Sequence, residues 1–365
     1  MKLLTVVGAR PQFVKAAAVS RVLRKEHREI LVHTGQHYDR NMSQIFFDEL
    51  HIPTPDYNLG VGSGSHAKQT ASMLVGVEDI LLMEKPDAVL VYGDTNSTLA
   101  AALAASKILI PVVHVEAGLR SYNFAMPEEQ NRVLTDHISR VLFAPTQTAV
   151  DNLAKEGIAK GVYNVGDVMA DAVFYYTKET AEQDPQELFA DIEALYGSLK
   201  GVDDYYLATI HRAENTDVEE KLWEVLDAFE ALDHPVIFPI HPRTRRAALA
   251  RLEEKKLTNT ILVAPVGYKE MLTLTQHAVK VVTDSGGLQK EAYLLETPCV
   301  TVRPQTEWVE TLNGGHNVLV APERDAIVEA VLHQEVDGTN HPDYYGKGDA
   351  GQKITDILAQ EGVLS

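Results

Sequence analysis

Residues able to bind anions and move protons recur along this chain in short, mostly glycine-containing clusters. Gly8-Ala9-Arg10-Pro11 and Lys15 lie near the N-terminus, followed by His33-Thr34-Gly35-Gln36-His37. Carboxylates come from Gly93-Asp94-Thr95-Asn96, Glu116-Ala117-Gly118-Leu119-Arg120 and Met126-Pro127-Glu128-Glu129-Gln130-Asn131-Arg132. The second half offers His211-Arg212-Ala213-Glu214-Asn215, His241-Pro242-Arg243, Asp284-Ser285-Gly286-Gly287 and Arg303-Pro304-Gln305. Arg10 can take a bidentate grip on phosphate or carboxylate, whereas Lys15 offers a point charge. Arg212 and Arg243 add positive charge. Asp94, Glu116 and Glu128 are natural proton donors and acceptors once burial or a neighbour moves their pKa. Asp94 could instead cap the next helix. Glu129 could pair with Arg132 and leave Glu128 to the site, or the order could be reversed. His211 can donate to phosphate or act as an acid near neutral pH, and His241 is a similar candidate in a weaker context.

Asp284-Ser285-Gly286-Gly287 follows the apolar run Val279-Lys280-Val281-Val282 and precedes a helix-like run, Leu288–Leu295. Paired glycines let a backbone come close to a ligand, and the free N–H groups of a helix start favour phosphate. Glu291, one turn inside, could accept hydrogen bonds from a ribose. Together with Arg303, this pattern favours a nucleotide diphosphate over an ordinary glycine turn. It is neither a P-loop nor G-x-G-x-x-G, so ATP hydrolysis and NAD binding lack their usual signatures. The 14 histidines form no His-Glu-x-x-His helix and no clear cluster, and Cys299 is the only cysteine, so no metal is expected.

The elements that would position these residues alternate regularly. Short apolar runs at 2–8, 29–35, 88–94, 111–118, 140–146 and 162–167 are each followed by a helical stretch. A second set occupies 205–212, 235–242, 260–265, 279–287, 298–303 and 317–322. Continuous apolar strands alternating with helices predict parallel sheets covered on both faces. The fold class expected is therefore α/β, with two Rossmann-like doubly wound domains. The join is expected near residues 168–200, with domain 1–170 followed by domain 171–351. The last helix, 352–365, could pack on either half and is assigned to the first. Nearly every strand ends in one of the polar clusters, and open α/β sheets bind ligands beyond the carboxyl ends of their strands. If the halves face each other, the clusters meet in one cleft.

Composition narrows the partners. At 365 residues, 45% hydrophobic and 23% charged, the chain reads as globular rather than disordered or fibrous. Its formal net charge of −19 lacks the basic field that nucleic acid or anionic lipid requires. Any bound anion must therefore be held by a few local cations and N–H groups. The N-terminal apolar run is too short for a signal peptide, and no stretch reaches the length of a membrane span. A cytoplasmic protein is expected.

Taken together, Gly-Ala-Arg-Pro-Gln, Thr-Gly-Gln-His, Gly-Asp-Thr-Asn-Ser and Val-Glu-Ala-Gly-Leu-Arg resemble the non-hydrolysing UDP-N-acetylglucosamine 2-epimerases. Met-Pro-Glu-Glu-Gln-Asn-Arg, His-Arg-Ala-Glu-Asn and Asp-Ser-Gly-Gly-Leu-Gln-Lys-Glu continue the match in the family's order over nearly the whole chain. The resemblance implies the glycosyltransferase-B architecture, a homodimer, and an active site between the halves. It implies interconversion of UDP-GlcNAc and UDP-ManNAc by elimination of UDP to 2-acetamidoglucal and re-addition, without NAD or another cofactor. Asp94, Glu116, Glu128 and His211 correspond to the family's catalytic group. Arg10, Lys15, Ser285, Gly286 and Glu291 match its UDP-binding positions. Gln36 and His37 match part of a second, activating UDP-GlcNAc site. Departures are Gly8-Ala9-Arg10-Pro11-Gln12 for Gly-Thr-Arg-Pro-Glu, and Thr306-Glu307-Trp308-Val309-Glu310 for Thr-Glu-Arg-Pro-Glu. With a shorter loop before Met126, they resemble the branch acting on UDP-2,3-diacetamido-2,3-dideoxyglucuronate. Alternatives are a glycosyltransferase of the same architecture, a hydrolysing 2-epimerase and a non-catalytic nucleotide-sugar binder.

Overall fold

A computed structural model describes residues 1–35, 50–181, 184–360 and 362–364, with the backbone alone for Arg10, Pro242 and Arg243. Gln36 and His37 therefore lie outside the described residues, as do the side chains of Arg10 and Arg243. The chain divides into two units, Met1–Tyr175 with Asp343–Ser365, and Tyr176–Pro342. The first crossing thus falls slightly beyond residue 170, and the chain returns at Asp343 rather than at residue 352.

The first unit runs β1 (Lys2–Val7), α1 (Arg10–Leu23), β2 (Arg28–His33), β3 (Tyr57–Asn58), α2 (His66–Glu84), β4 (Ala88–Tyr92) and α3 (Asn96–Lys107). It continues with β5 (Val112–Val115), α4 (Pro127–Ile138), β6 (Val141–Ala144), α5 (Gln147–Lys155), β7 (Val162–Asn164) and most of α6 (Val168–Glu179). Its sheet is ordered β3-β2-β1-β4-β5-β6-β7, with every pair parallel. Strand order reverses between β1 and β4, the switch point at which such sheets bind ligands. Strands β1, β2 and β4 bury nearly every residue because helices cover both faces. On one face Leu4, Val6, Ile30, Val32, Val89 and Val91 pack with Val77 and Leu81 of α2 and Ala101 and Ala105 of α3.

The second unit contains α7 (Pro185–Asp191), β8 (Ala194–Tyr196), β9 (Tyr206–Thr209), α8 (Ala213–Thr216), α9 (Glu219–Glu230), β10 (Val236–Pro239), α10 (Pro242–Lys255) and β11 (Thr260–Val263). Next come α11 (Tyr268–His277), β12 (Lys280–Thr283), α12 (Gly286–Leu294), β13 (Cys299–Thr301), a 3₁₀ segment (Val309–Gly315), β14 (Asn317–Leu319) and α13 (Arg324–His333). Sheet order is β14-β13-β12-β9-β10-β11-β8. The switch point lies between β9 and β12. Leu207, Ile237 and Val281 meet Leu274 and Ala292 on one face. Ala208, Phe238 and Val282 meet Leu226, Leu252 and Ile327 on the other.

Each of the expected apolar runs contains a strand, but two strands carried no such signal. β3 has two residues, and β8 is largely exposed and pairs antiparallel with β11 across a register shift. Short, half-wet edge strands need no apolar run. The last helix, α14 (Ala350–Leu358), packs on α1 in the first unit. Asp171 of α6 fastens it by accepting hydrogen bonds from Ala350 N (3.0 Å) and Gly351 N (2.7 Å), two donors left open at a helix start. No helix among the described residues is long and apolar enough to cross a membrane.

Candidate active site

In the first unit the expected acidic residues gather at the carboxyl edge of the sheet. β4 ends at Gly93, whose φ of 61° lies in the left-handed region. A Cβ there would stand 3.1 Å from Glu116 Oε2 and 3.4 Å from Lys15 Nζ, so glycine supplies both the turn and the room. Glu116, just after β5, is itself left-handed at φ 72°. A non-glycine residue held so carries about 1–3 kcal/mol of strain, a frequent mark of functional positions. Its buried carboxylate pairs with Lys15 Nζ from α1. Lys15, read from sequence as a phosphate contact, thus also has a counter-ion inside its own unit.

Thr95, not Asp94, caps α3, its side chain accepting from Thr98 N. Asp94 is left for other work. Arg132 Nη2 donates to Asp94 Oδ2 at 2.5 Å, and Asn131 Nδ2 donates to the Asp94 carbonyl at 2.9 Å. Burial is the main influence pushing the Asp94 carboxyl above its ordinary pKa; Arg132 opposes it, Glu116 adds, Lys15 opposes and Glu128 adds. A carboxyl so placed is suited to carrying a proton. Arg132 also stands 3.2 Å from Glu129 Oε2. Glu129 is buried and accepts from Ser121 N (2.9 Å) and Tyr122 N (2.8 Å), which fixes it to the loop before α4. Its neighbour Glu128 is exposed.

Behind this edge runs a buried chain of ionisable groups that the sequence reading did not find. His114 of β5 contacts the Gly93 carbonyl through Nε2 and Asp136 Oδ1 of α4 through Nδ1, both at 2.7 Å. Asp136 Oδ2 accepts from Arg120 Nη1 at 2.7 Å and Gly118 N at 3.1 Å. Arg120 then pairs with Glu156 through two 2.7 Å bonds.

The second unit builds a different surface on the same topology. Asp284, fully buried after β12, receives His211 N on both oxygens at 3.1 Å. It also accepts from Arg212 N at 2.9 Å and Asn215 Nδ2 at 3.0 Å. One carboxylate therefore shapes the whole turn after β9. His211 Nδ1 lies 3.5 Å from Asp284 Oδ1, and its ring lies 6.5 Å from that of the exposed His241. Desolvation lowers the His211 pKa, Asp284 opposing and Arg212 adding to the shift. The imidazole is consequently mostly neutral at pH ~7, able to offer one N–H.

At the start of α12, Ser285 caps by accepting from Leu288 N at 3.4 Å. A Cβ on Gly286 would stand 2.8 Å from Glu307 Oε1, 3.4 Å from Arg303 Nη1 and 3.4 Å from Trp308 Nε1. Arg303 is buried; its Nη2 donates to Glu307 Oε2 at 3.1 Å, while Nη1 has no hydrogen-bond partner. A buried guanidinium with an open donor beside a helix N-terminus has the chemistry to receive an anion. Gly287 is exposed at the next position. Glu291, one turn along, is buried and its pKa is pushed up to about 7 by desolvation, which Lys290 and a hydrogen bond with Tyr268 oppose. Trp308 fills the position where the family resemblance leads one to expect arginine, and Lys290 Nζ sits 3.7 Å from its ring centroid. A cation thus remains nearby, held on the indole face.

Sequence reading missed Asp284 and Asn215 as organisers, Arg132 as a partner of Asp94, and the His114 chain. Asp284 and Arg132 stood inside recognised motifs; their partners lie tens of residues away and had no local signal. Among the described residues, no group of three or more His, Cys, Asp or Glu is arranged to hold a metal ion.

The family described as UDP-N-acetylglucosamine 2-epimerase matches residues 21–359. A Methanococcus maripaludis protein named UDP-N-acetylglucosamine 2-epimerase homolog is 52% identical over 98% of this chain and 99% of its own. The Pseudomonas aeruginosa UDP-2,3-diacetamido-2,3-dideoxy-D-glucuronate 2-epimerase is 47% identical over 99% of this chain and 100% of its own. The crystal structure of Methanocaldococcus jannaschii UDP-GlcNAc 2-epimerase with UDP-GlcNAc and UDP is 43% identical, covers 98% of this chain and 99% of that chain, and has a TM-score of 0.87. Two Rossmann-like domains of this kind make the fold glycosyltransferase-B in class. The chain belongs to the UDP-N-acetylglucosamine 2-epimerase family and is an epimerase.

Proposed function

We propose that the protein interconverts UDP-N-acetylglucosamine and UDP-N-acetylmannosamine by eliminating and re-adding UDP. Carbon 2 of the sugar has no adjacent carbonyl, so its proton is hard to remove unless a leaving group departs from carbon 1. In the forward step a carboxylate takes the carbon 2 proton, the C1–O bond breaks, and its electrons leave with UDP. The product, 2-acetamidoglucal, is protonated at carbon 2 on the opposite face, and a UDP oxygen bonds to carbon 1 again. The observation that carries this reading is the acidic set Asp94, Glu116 and Glu128, balanced by Lys15 and Arg132 at one sheet edge. Asp94, with its raised pKa, suits proton delivery; Glu116 and Glu128 share proton removal and positioning. The first turn of α12 with Arg303 holds the diphosphate, Glu291 accepts from the ribose, and the neutral His211 donates to the departing phosphate oxygen.

Incubation of the enzyme with UDP-GlcNAc in deuterated water tests this. UDP-ManNAc carrying deuterium at carbon 2 is expected; free ManNAc with UDP would mean a hydrolysing enzyme. Turnover without deuterium would remove solvent exchange from the mechanism. A second reading keeps the chemistry and changes the sugar to UDP-2,3-diacetamido-2,3-dideoxyglucuronate. The 47% identity to the Pseudomonas aeruginosa enzyme favours it. Offering both nucleotide sugars and identifying the products by NMR separates the two.

A further inference from the structure

Asp94, Glu116 and Glu128 lie on three separate pieces of chain: the turn after β4, the turn after β5 and the first turn of α4. One buried side chain ties together the three elements that carry them: it belongs to β5, contacts the turn after β4 and contacts α4 near its C-terminal end. His114, on β5 itself, has no exposed surface. Its Nε2 lies 2.7 Å from the carbonyl of Gly93, the residue before Asp94. Its Nδ1 lies 2.7 Å from Asp136 Oδ1 on α4, the helix that carries Glu128 and the Arg132 bonded to Asp94.

We propose that His114 is a positioning residue, doubly protonated between its two acceptors, that sets the three carboxylates relative to one another. The inference rests on the epimerase reading for its catalytic consequence alone. The charge follows from the contacts. A backbone carbonyl can only accept, so Nε2 must carry a proton. An ionised carboxylate can only accept, so Nδ1 must carry one too. The remaining possibility is a protonated Asp136, and its other partners argue against that. Its second oxygen faces Arg120 Nη1 at 2.7 Å and Gly118 N at 3.1 Å, both donors. The charged groups then alternate in sign: His114, Asp136, Arg120 and Glu156, with His137 3.2 Å beyond Glu156. On the other side, toward the strand ends, stand Lys15, Glu116, Asp94 and Arg132. N···O distances of 2.7 Å fit charge-assisted bonds. A neutral ring would leave a lone pair facing an acceptor at that distance, with the side chain fully buried.

The role follows from what the bonds restrain. Gly93 is left-handed, a conformation that a free glycine leaves readily, and the His114 bond to its carbonyl holds the turn that aims Asp94. The Asp136 bond holds α4 at the depth where Arg132 meets Asp94.

Two measurements decide it. In protein labelled with ¹⁵N-histidine, the signal lost in His114→Gln is expected to show both ring nitrogens protonated. A His114 signal of a neutral tautomer would overturn the double protonation. Asp136→Asn, which removes the counter-charge, should convert the same signal to a neutral ring. The second measurement is kinetic. His114→Gln keeps a donor for Gly93 and gives up the charge; kcat should fall ~10- to 100-fold with KM within a few-fold of wild type. His114→Ala, lacking both bonds, should fall further, so that glutamine counts as partial rescue. A folded His114→Gln protein with wild-type kcat and pH profile would end the positioning role. The nitrogen measurement needs no substrate, so failure of the epimerase reading and failure of this one are told apart.

Discussion

The two units share one strand order and present opposite chemistry. In each sheet the first parallel strand, β1 or β9, neighbours the strand three further along the chain, β4 or β12, and open sheets bind ligands at such a reversal. The first unit fills the edge with carboxylates, Asp94 and Glu116, and holds them with Lys15 and Arg132. The second unit buries Asp284, the carboxylate that follows β12, among backbone and amide donors. What it leaves outward is His211 and His241, with the buried Arg303 beside the start of α12. A fold therefore supplies an edge and a direction, and the residues at the strand ends choose proton transfer or anion binding.

That division can be tested from both sides. The largest effect is expected from Asp94→Asn, which keeps the Arg132 contact and removes the titrating oxygen. Its kcat should drop by ~10²-fold or more while UDP affinity, measured by calorimetry, stays near wild type. Unchanged kcat would strip the first unit of its proton chemistry. Arg303→Ala should do the reverse, weakening UDP by ~10- to 100-fold through loss of a charge-assisted donor. Equal losses in both parameters for both variants would erase the division altogether.

A pH experiment sharpens the second unit further. The Glu291 carboxyl has a pKa of about 7 in the fold against an ordinary 4.5. The folded state therefore binds that proton more tightly than the unfolded chain. This contribution to stability is full below the unfolded pKa and is lost as pH rises through about 7. In chemical denaturation of the ligand-free protein, Glu291→Gln should flatten that decline; a wild-type slope in the variant would mean that another group causes it. The smallest effect belongs to Gly93→Ala, which forces alanine into φ 61° beside Glu116 and Lys15. We expect about 1–2 kcal/mol lower stability from the backbone conformation, read from the denaturant midpoint. A neutral result would show that the turn relaxes without strain.

Much of this architecture was legible beforehand, for identifiable reasons. Runs such as Ala88–Tyr92 and Val236–Pro239 are buried on both sides and need apolar, β-rich sequences, so they announce themselves. β8 is a wet edge strand and does not. The Gly286 turn was visible because close approach demands a missing side chain. The pairing of Glu129 with Arg132 could be weighed as neighbours one helical turn apart. That Arg132 also reaches Asp94, 38 residues earlier, could not. Nor could the capping of α3 by Thr95 be told from capping by Asp94, since both types serve equally well at a helix start.

By itself, then, the order of amino acids determined the alternation of strands and helices, the chemical type of each strand-end cluster and the family. These depend on periodicity and on side-chain identity, which are local. Tertiary structure alone decided which charges neutralise one another: Lys15 with Glu116, Arg132 with Asp94, and His114 between Gly93 and Asp136. Electrostatic energy depends on separation in space and on the water excluded between groups, and neither is written along a chain.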